Sequence, residues 1–379
     1  MPDLHTSLSV LVGVDPVLRD SALTGLAFDA PSTVTIKHDL LIAESALRRV
    51  VVDVTGVVED ETLPLEHACV SCCVREDAVP TIARLAATGR WTDVVLALPV
   101  TAEPLPITRG LAAMCEPGGE LENLRLASSG VVVDLASVED DLLGDDWCAE
   151  RGLALTDDDE RGVGEALATQ LEQADVVVTS GTDATGSGLV DRLRGADSRR
   201  VDGLHALVVD QLAAFRHRSE TAERRAHPLG ARGALAPGRG PAGGTDVDRS
   251  WSLELTSSRP FHPERLLDQV EELGTGRLRS RGAFSVANRP DSLCLWDGAG
   301  GQLCIADLGT WDEVAAGAAP HTRIVVVGAG TVDEGEALRA RLTAAFQAAL
   351  AASDEIADGG LAWLGSEDAL APWLGQRAA

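Results

Sequence analysis

Residues 69–75 read CVSCCVR and hold three of the seven cysteines of the chain. Cys69 and Cys72 are three positions apart and can give two thiolates to one tetrahedral ion, and Cys73 adds a third possible ligand. The segment lacks the four ligands of a closed structural zinc site, and an open site releases its metal more readily. We therefore predict a metal site that exchanges or senses zinc. The remaining ligand is expected from His67, Asp77, a residue across a cleft or a partner protein.

The same cysteines are compatible with two roles that need no metal. A CxxC pair also occurs in thiol redox proteins, so Cys69 and Cys72 could form a reversible disulfide. In a reducing cytosol a cysteine is otherwise a small buried hydrophobe by default, and a cysteine site accepts other thiophilic metals as well as zinc. We expect the buried role for the four cysteines outside the segment, which are Cys115, Cys148, Cys294 and Cys304.

The formal net charge of −27 opposes direct docking on nucleic acid, because that binding depends on Lys and Arg side chains that neutralise phosphates. Lys37 is the only lysine of the chain. The same charge favours a basic protein as partner. We expect a protein partner and no direct binding of nucleic acid.

A length of 379 residues with 45% hydrophobic composition suffices for two domains with separate cores. No stretch approaches the length of apolar residues that a membrane span needs, and the first residues lack the basic and apolar regions of a secretory signal. We expect no membrane contact and a cytoplasmic protein.

Short apolar runs alternate with stretches of helical spacing over the first two hundred or so residues. Continuous Val and Leu runs bounded by polar turns are typical of strands buried on both faces. We predict an α/β domain over residues 1–215 with a mainly parallel sheet. Residues 50–58 are ambiguous and compatible with a short hairpin, and residues 78–88 have helical spacing. The predicted strands are residues 8–12, 33–37, 94–98, 131–133, 176–179 and 206–209.

The composition changes after residue 215. Residues 216–249 are rich in Gly, Pro, Ala and Arg, and we predict a flexible linker because such a segment buries too little apolar surface to offset its ordering entropy. Residues 250–350 predict a smaller α+β domain, and the tail at 351–379 has no predicted structure. The strands of the second domain are predicted at 251–255, 282–287, 292–296, 302–306 and 323–327, and its helices at 262–272 and 334–350.

The loop after the first strand stands where a P-loop would bind nucleotide phosphates. Such a loop needs glycines, a Lys for the phosphates and a Ser or Thr for magnesium. After Gly13, Pro16 removes an amide donor, Leu18 adds a side chain and Asp20 replaces the hydroxyl. A carboxylate about 4 Å from a phosphate charge costs about 4 kcal/mol at an effective dielectric constant of about 20. We predict no ordinary binding of GTP and magnesium, although Ser21 could take the hydroxyl role.

Two further landmarks of a GTPase are altered. The predicted strand at 94–98 runs into Pro99 and Val100, with no carboxylate at its end to hold magnesium. After the strand at 176–179, guanine recognition would need Asn-Lys-x-Asp, of which only Asp183 remains. We therefore predict a P-loop fold with little or no GTPase activity. The remnant of its nucleotide site comprises Gly13, Arg19, Ser21 and Asp183.

The cysteine segment resembles the motif of the CobW-like family, which are P-loop GTPases linked to metal handling and zinc homeostasis. The family motif is Cys-x-Cys-Cys followed by Thr, an apolar residue, Arg and, two residues on, Asp. Here Ser71 takes the place of the middle cysteine and Cys73 stands where Thr is usual. The resemblance implies a zinc site that is partly retained and shifted. The matching positions are Cys69, Cys72, Val74, Arg75 and Asp77.

The second domain resembles the family's C-terminal domain. Residues 259–265, RPFHPER, match its Arg-Pro-Phe-His-Pro-x-Arg signature, and RSRG at 279–282 and ANRPD at 287–291 follow in the family's order. The resemblance implies a P-loop NTPase-like domain followed by a CobW C-terminal-like domain. The signature also has a structural reason, with Pro263 in the first turn of a helix and Phe261 packing ahead of it.

A degraded P-loop combined with CVSC and ANRPD resembles the actinobacterial branch of this family described as ribosome-hibernation-factor recruiting proteins, which act when zinc is scarce. The resemblance implies a zinc-responsive adaptor that binds a hibernation factor and meets the ribosome indirectly. The next alternative is a GTP-dependent zinc metallochaperone, an enzyme. A thiol redox protein is the third.

Overall fold

The computed structural model describes residues 6–233, 247–357, 363 and 367–376. Within these residues the chain forms two compact units. The first unit takes its described residues from 6–138, 146–183 and 193–226. The second takes 139–145, 184–192 and the described residues after 226.

An eight-stranded sheet forms the first unit. Its strands are β1 (Thr6–Val12), β2 (Thr33–Leu41), β3 (Ala46–Asp53), β4 (Gly56–Pro64), β5 (Asp93–Ala97), β6 (Leu124–Asp134), β7 (Val176–Ser180) and β8 (Arg199–Asp202). The spatial order is β4-β3-β2-β5-β1-β6-β7-β8. All neighbours from β2 to β8 are parallel, whereas β2–β3 and β3–β4 are antiparallel. The mainly parallel α/β class is confirmed, and the ambiguous residues 50–58 lie in the β3–β4 hairpin.

Helices connect the strands of this sheet. They are α1 (Pro16–Asp29), α2 (Val70–Cys73), α3 (Val79–Ala87), α4 (Pro104–Met114), α5 (Val138–Leu143), α6 (Val163–Gln173), α7 (Ala184–Leu193), α8 (Val209–Ala213) and α9 (Ser219–Ala226). All but one residue of α5, and all but one of α7, group with the second unit. A single π-helical turn, Val74–Ala78, joins α2 to α3. The helical spacing of residues 78–88 is therefore confirmed.

Helix α1 packs on the sheet through its apolar face. Leu18, Leu23 and Leu26 share a buried cluster with strand residues that include Leu11 and Val132. Asp15, which has extended backbone angles, is the N-cap of the helix, and Pro16 is its first residue. Proline fits this position because the N–H it lacks would have no partner in the first turn of a helix. The same loop connects β1 to α1, so packing of α1 fixes the place where a P-loop would lie.

The structure corrects two expectations for the end of the first domain. The predicted strand at 206–209 is wrong: a 3₁₀ turn at Leu204–Ala206 and helix α8 occupy this stretch, and the last strand is β8. Inside the predicted linker, residues 219–226 form helix α9 and Pro228–Gly230 form a 3₁₀ turn. Residues 234–246 of that linker lie outside the described residues.

The second unit contains a five-stranded antiparallel sheet. Its strands are β9 (Ser250–Ser257), β10 (Leu278–Val286), β11 (Arg289–Ala299), β12 (Gln302–Thr310) and β13 (Thr322–Ala329), and its further helices are α10 (Pro263–Gly274), α11 (Trp311–Val314), α12 (Val332–Ala349) and α13 (Ala371–Leu374). The spatial order is β12-β11-β10-β13-β9. The α+β prediction is confirmed. Capping boxes at Thr310 and Thr331 begin α11 and α12.

The signature around Phe261 has the structural role expected from the sequence. Phe261 is fully buried, its ring packs edge-on against Phe346 at 5.4 Å between centroids, and Pro263 begins α10. His262 is the N-terminal flanking residue of that helix.

Part of the C-terminal tail belongs to the same core. Leu370 and Leu374 are buried in the cluster that contains Phe261. Arg289 is also buried, and it donates to the Asp368 carboxylate at 2.8 Å and to the Leu374 carbonyl at 3.1 Å. No structure was predicted for the apolar residues 370–374, and they pack in the core of this unit.

The tail contains a second apolar stretch at residues 361–364, of which the structure describes only Trp363. Across the described helices, none combines the length and the apolar character that a membrane crossing requires.

Candidate metal site

Three of the four predicted metal ligands come together after strand β4. A ring nitrogen of His67 and the Sγ atoms of Cys69 and Cys72 all lie within 4.8 Å of one another. His67 is exposed, and both cysteines are half-buried, so the group is open to a metal from solvent. Cys73 does not join the group, because it lies on the buried side of α2 with 3% exposure.

The start of helix α2 places the two thiols. Cys69 has extended backbone angles and is the N-cap of the helix, where its Sγ accepts the amide of Cys72 at 3.4 Å. A cap residue and the residue three positions later lie side by side at a helix start. The CxxC spacing thus brings Cys69 and Cys72 together because the helix begins between them.

The same contacts favour a thiolate at Cys69. The hydrogen bond from the Cys72 amide lowers the pKa of the Cys69 thiol, with a smaller contribution from the charge of Arg75. The hydrogen bond with Cys69 raises the pKa of Cys72, so Cys69 is the first of the two to ionise. Burial raises the pKa of Cys73 to about 11, which keeps that thiol protonated.

The donor set fits zinc. Zn²⁺ takes cysteine sulfur and histidine nitrogen in tetrahedral sites, and sites with three protein ligands keep a fourth position for another ligand. His67, Cys69 and Cys72 supply three such donors. The group therefore resembles an exchangeable site more than a closed structural one.

Asp77 is a candidate for the missing ligand by sequence, but the structure gives its carboxylate other contacts. Oδ2 accepts from Nε2 of His38 at 2.9 Å, and Oδ1 accepts from Arg49. The side chain is only 12% exposed, whereas Arg75 and Glu76 are exposed. Asp77 is therefore not available as a ligand in this arrangement. Sequence reasoning missed His38 and Arg49, which lie on β2 and β3 and carry no local signal of this role.

At the loop after β1, a carboxylate occupies the amides that a P-loop offers to phosphate. Asp15 Oδ1 accepts the backbone N–H of Val17 at 2.7 Å and that of Leu18 at 3.1 Å. A phosphate bound at a helix start uses amides of this kind. The sequence identified Pro16, Leu18 and Asp20 as obstacles but did not identify Asp15.

Arg19 is part of the protein interior. It is 1% exposed and donates to the Leu98 carbonyl at 2.9 Å and to Asp39 at 2.6 Å. It also contacts Asp20, which binds Lys37 at 2.7 Å. The cations near this loop, Arg19 and Lys37, are therefore bound to carboxylates of the chain itself.

The other residues of the remnant nucleotide site have local roles. Ser21 Oγ donates to the Val17 carbonyl at 2.8 Å within α1. Gly13 lies against β6, where a Cβ would come 2.9 Å from Cγ2 of Val132. Asp183 directly precedes α7. Gly13 thus has a packing reason that does not depend on phosphate.

Comparison with known proteins bears on the identity of the second unit and of the chain. Residues 250–350 match the family described as "Cobalamin synthesis protein cobW C-terminal domain". This range contains strands β9 to β13 and helices α10 to α12. The second unit therefore contains a CobW C-terminal-like domain, and the chain as a whole resembles CobW-like proteins. The eight-stranded sheet of the first unit precedes that domain in the chain.

Two relatives extend the similarity beyond the second unit. A Mycobacterium tuberculosis protein named "Zinc chaperone Rv0106" is 26% identical over 319 residues, which cover 81% of this chain and 74% of the relative. A Dictyostelium discoideum protein named "Zinc-regulated GTPase metalloprotein activator 1" is 25% identical over 295 residues, or 72% of this chain and 59% of the relative. Among solved structures, the Zn(II)-bound YjiA GTPase from E. coli aligns with 90% of this chain and 98% of its own, at 11% identity and a TM-score of 0.32.

Proposed function

We propose that this CobW-like protein binds zinc at His67, Cys69 and Cys72 and acts without GTP hydrolysis. The observation that carries the proposal is the convergence of one imidazole and two thiols within 4.8 Å at the start of α2. The names of the two relatives, a zinc chaperone and a zinc-regulated activator, support zinc as the metal. Bound zinc would hold both thiolates and leave one position for a ligand from a donor or acceptor.

The loop after β1 supports the second half of the proposal. Asp15 occupies two amides of the α1 start, and Arg19 is buried against Leu98 and Asp39. A phosphate at this position would displace the Asp15 carboxylate and meet the negative charge of Asp20, which is unfavourable. The β1–α1 connection lies where a P-loop would lie, but the charged residues beside it, Arg19 and Asp20, form ion pairs within the protein.

The biological role we propose is an adaptor that recruits a ribosome-hibernation factor when zinc is scarce. Two features support it: the resemblance of the CVSC and ANRPD segments to that branch of the family, and the net charge of −27, which suits a basic protein partner. Zinc can control such an adaptor because metal binding selects the deprotonated thiols and orders the segment that bears them. Occupancy of the site would then change the surface near α2.

A competitive zinc titration of the reduced protein tests the metal site. Wild type should bind one tight ion that Cys69→Ser/Cys72→Ser loses, and Cys115→Ser/Cys304→Ser, which removes two cysteines outside the group, should bind like wild type. GTP binding measured in the same samples should be absent. Equal zinc binding by wild type and Cys69→Ser/Cys72→Ser would refute the site.

Co-purification of a hibernation factor with the wild-type chain tests the adaptor role. The factor should be lost, or bound independently of zinc, in Cys69→Ser/Cys72→Ser. The comparison is made at low and at high zinc. If the protein binds zinc but no hibernation factor at either concentration, the adaptor role is refuted and the metal site is not.

A GTP-dependent zinc metallochaperone is the second candidate, favoured by the name of the Dictyostelium relative. It requires GTP hydrolysis that disappears when Arg19 or Ser21 is replaced. A thiol redox protein is the third candidate, favoured by the lowered pKa of Cys69. It requires a Cys69–Cys72 disulfide that forms and reduces reversibly in metal-free protein.

A further inference from the structure

We infer that Asp77 is a positioning residue for the zinc site proposed above, on which this role depends. Asp77 acts by fixing the helix that carries Cys72 to strands β2 and β3. It lies in the π-helical turn Val74–Ala78, which continues α2 without a break. At about 1.5 Å of rise per residue, its Cα lies about 7.5 Å along the helix from that of Cys72. A constraint on Asp77 therefore constrains the direction of the cysteine-bearing turn.

Both oxygens of the Asp77 carboxylate are used by this constraint. His38, fully buried on β2, donates to Oδ2 at 2.9 Å, and Arg49, 8% exposed on β3, donates to Oδ1. Arg49 is in turn held by Glu59 at 3.2 Å and Glu61 at 2.8 Å on β4. The part formed by His38, Asp77 and Arg49 is buried, and charged hydrogen bonds are stronger there than at the surface because water does not compete for them.

The π-helical turn is a second sign of this constraint. Single π turns are rare and occur frequently at functional sites, since one extra residue rotates the side chains that follow it. Here the turn lies between the cysteine-bearing turn and the regular helix α3, and it contains Asp77. Asp77 is thus buried towards His38 and Arg49, while its neighbours Arg75 and Glu76 stay at the surface.

This arrangement affects metal binding through order. Three ligands bind an ion tightly when the segment that bears them is already fixed, because the ordering entropy is then not lost on binding. Groups that hydrogen-bond directly to metal ligands commonly change affinity by about 10- to 100-fold when replaced, and Asp77 acts less directly, through the helix, so its effect should lie at the lower end of that range. Asp77→Asn keeps the size of the side chain but removes the charge that binds Arg49. We expect zinc affinity to fall by about 10-fold.

A second cluster of the same three residue types provides a control for Asp77→Asn. Asp175 is 7% exposed and accepts from His217 at 2.7 Å and from Arg225 at 2.9 Å, so it forms a second buried His–Asp–Arg cluster in the first unit. Its carboxylate also accepts the backbone amide of Ser129, and all three of these partners lie outside residues 66–78. Asp175→Asn should lower stability in the same way as Asp77→Asn and leave zinc binding unchanged.

The experiment compares zinc affinity by competitive titration in reduced wild type, Asp77→Asn and Asp175→Asn, well below the unfolding temperature of each. The Co²⁺–thiolate absorption band serves as a second measurement, which should broaden or weaken in Asp77→Asn alone. Unchanged zinc affinity in Asp77→Asn, or an equal loss in both variants, would overturn the positioning role.

A second variant keeps the test decisive if Asp77→Asn does not fold. His38→Leu removes the donor to Oδ2 of the same carboxylate and should also weaken zinc binding, and unchanged affinity in it would overturn the role. Zinc binding that persists in Cys69→Ser/Cys72→Ser would instead refute the zinc site itself.

Discussion

The guanidinium of Arg19 lies 2.6 Å from the carboxylate of Asp39, and only 1% of the arginine side chain is exposed. Asp39 is one residue after His38, which contacts Asp77 on the other face of β2. Successive residues of a strand point to opposite faces, so two neighbouring positions of β2 support two different regions. One face of the strand holds the start of α1, and the other holds the helical segment that follows the proposed metal ligands.

Replacing Arg19 should destabilise the first unit strongly. Arg19→Met removes the charge that pairs with Asp39 and the donor to the Leu98 carbonyl. Loss of one partner from a buried ion pair costs about 3 to 5 kcal/mol, and we expect about 2 to 3 kcal/mol here because Asp39 is 27% exposed. Urea denaturation followed by circular dichroism measures the change. Arg109→Met, which breaks the exposed pair with Glu223, should cost less than about 1 kcal/mol.

The effect of Arg19→Met should also depend on pH. Burial opposes ionisation of Asp39, but Arg19 and Lys37 together hold the pKa of Asp39 below its usual value. A carboxyl with a lowered folded-state pKa stabilises fully above its unfolded-state pKa of about 3.9, and this stabilisation disappears as the pH falls through the folded-state value. The difference in unfolding free energy between wild type and Arg19→Met should therefore be constant near neutral pH and shrink in that acid range. A difference that grew on acidification would contradict this assignment.

Most of the fold could be predicted from apolar periodicity, and the errors have a physical cause. The run at 206–209 predicts a strand, but short apolar runs do not distinguish a strand from a buried helix. Leu207, Val209 and Leu212 are indeed buried, but they belong to a turn and to α8. The last strand of the first unit is β8, which has the sequence RRVD. It has no apolar run, because it lies at the edge of the sheet.

The candidate site is visible in the sequence only where its residues are close along the chain. His67, Cys69 and Cys72 lie within six positions, so spacing and residue type are enough. The supporting contacts join Asp77 to His38, which is 39 positions earlier in the chain, and to Arg49, which is 28 positions earlier. No local pattern encodes such a pairing, since it depends on how β2 and β3 pair in the sheet.

Two glycines around α1 should respond in opposite directions to replacement by alanine. A Cβ on Gly13 would lie 2.9 Å from Cγ2 of Val132, whereas a Cβ on Gly25, exposed in α1, meets nothing within 4 Å. Gly13→Ala should destabilise by about 1 to 3 kcal/mol through overpacking. Gly25→Ala should stabilise by about 0.5 to 1 kcal/mol, because alanine has the higher helix propensity. The two urea midpoints measure both effects, and a destabilised Gly25→Ala would show that this face of α1 is not open to solvent.

The C-terminal residues should contribute to the stability of the second unit. Leu370 is fully buried in its core, whereas Trp373, three residues later, is 54% exposed. Leu370→Ala should cost about 2 to 5 kcal/mol, as other buried Leu→Ala changes do, and Trp373→Ala less than about 1 kcal/mol. Thermal unfolding of both variants beside wild type measures the difference. Equal melting temperatures for Leu370→Ala and wild type would mean that the tail does not pack on this core in solution.

Reactivity towards iodoacetamide should divide six of the seven cysteines, all except Cys115, into three groups. Burial raises the pKa of Cys148 to about 11 and that of Cys294 to about 12, so both should stay unmodified in the native protein, as should Cys73. The sequence-based expectation that Cys304 is buried is wrong: it is exposed on β12 and should react at all zinc concentrations.

Cys69 and Cys72 should form the third group, which reacts only without zinc. The lowered pKa of Cys69 gives it more thiolate near neutral pH than an ordinary cysteine has, and thiolate is the reactive form. A thiolate bound to zinc would no longer be free to react with iodoacetamide. Mass spectrometry of peptides from native protein, labelled with and without zinc, measures each site separately, and Cys304 serves as the internal control. Protection of Cys304 together with Cys69 would indicate a general effect of zinc on the protein, whereas protection of Cys69 and Cys72 alone identifies them as ligands.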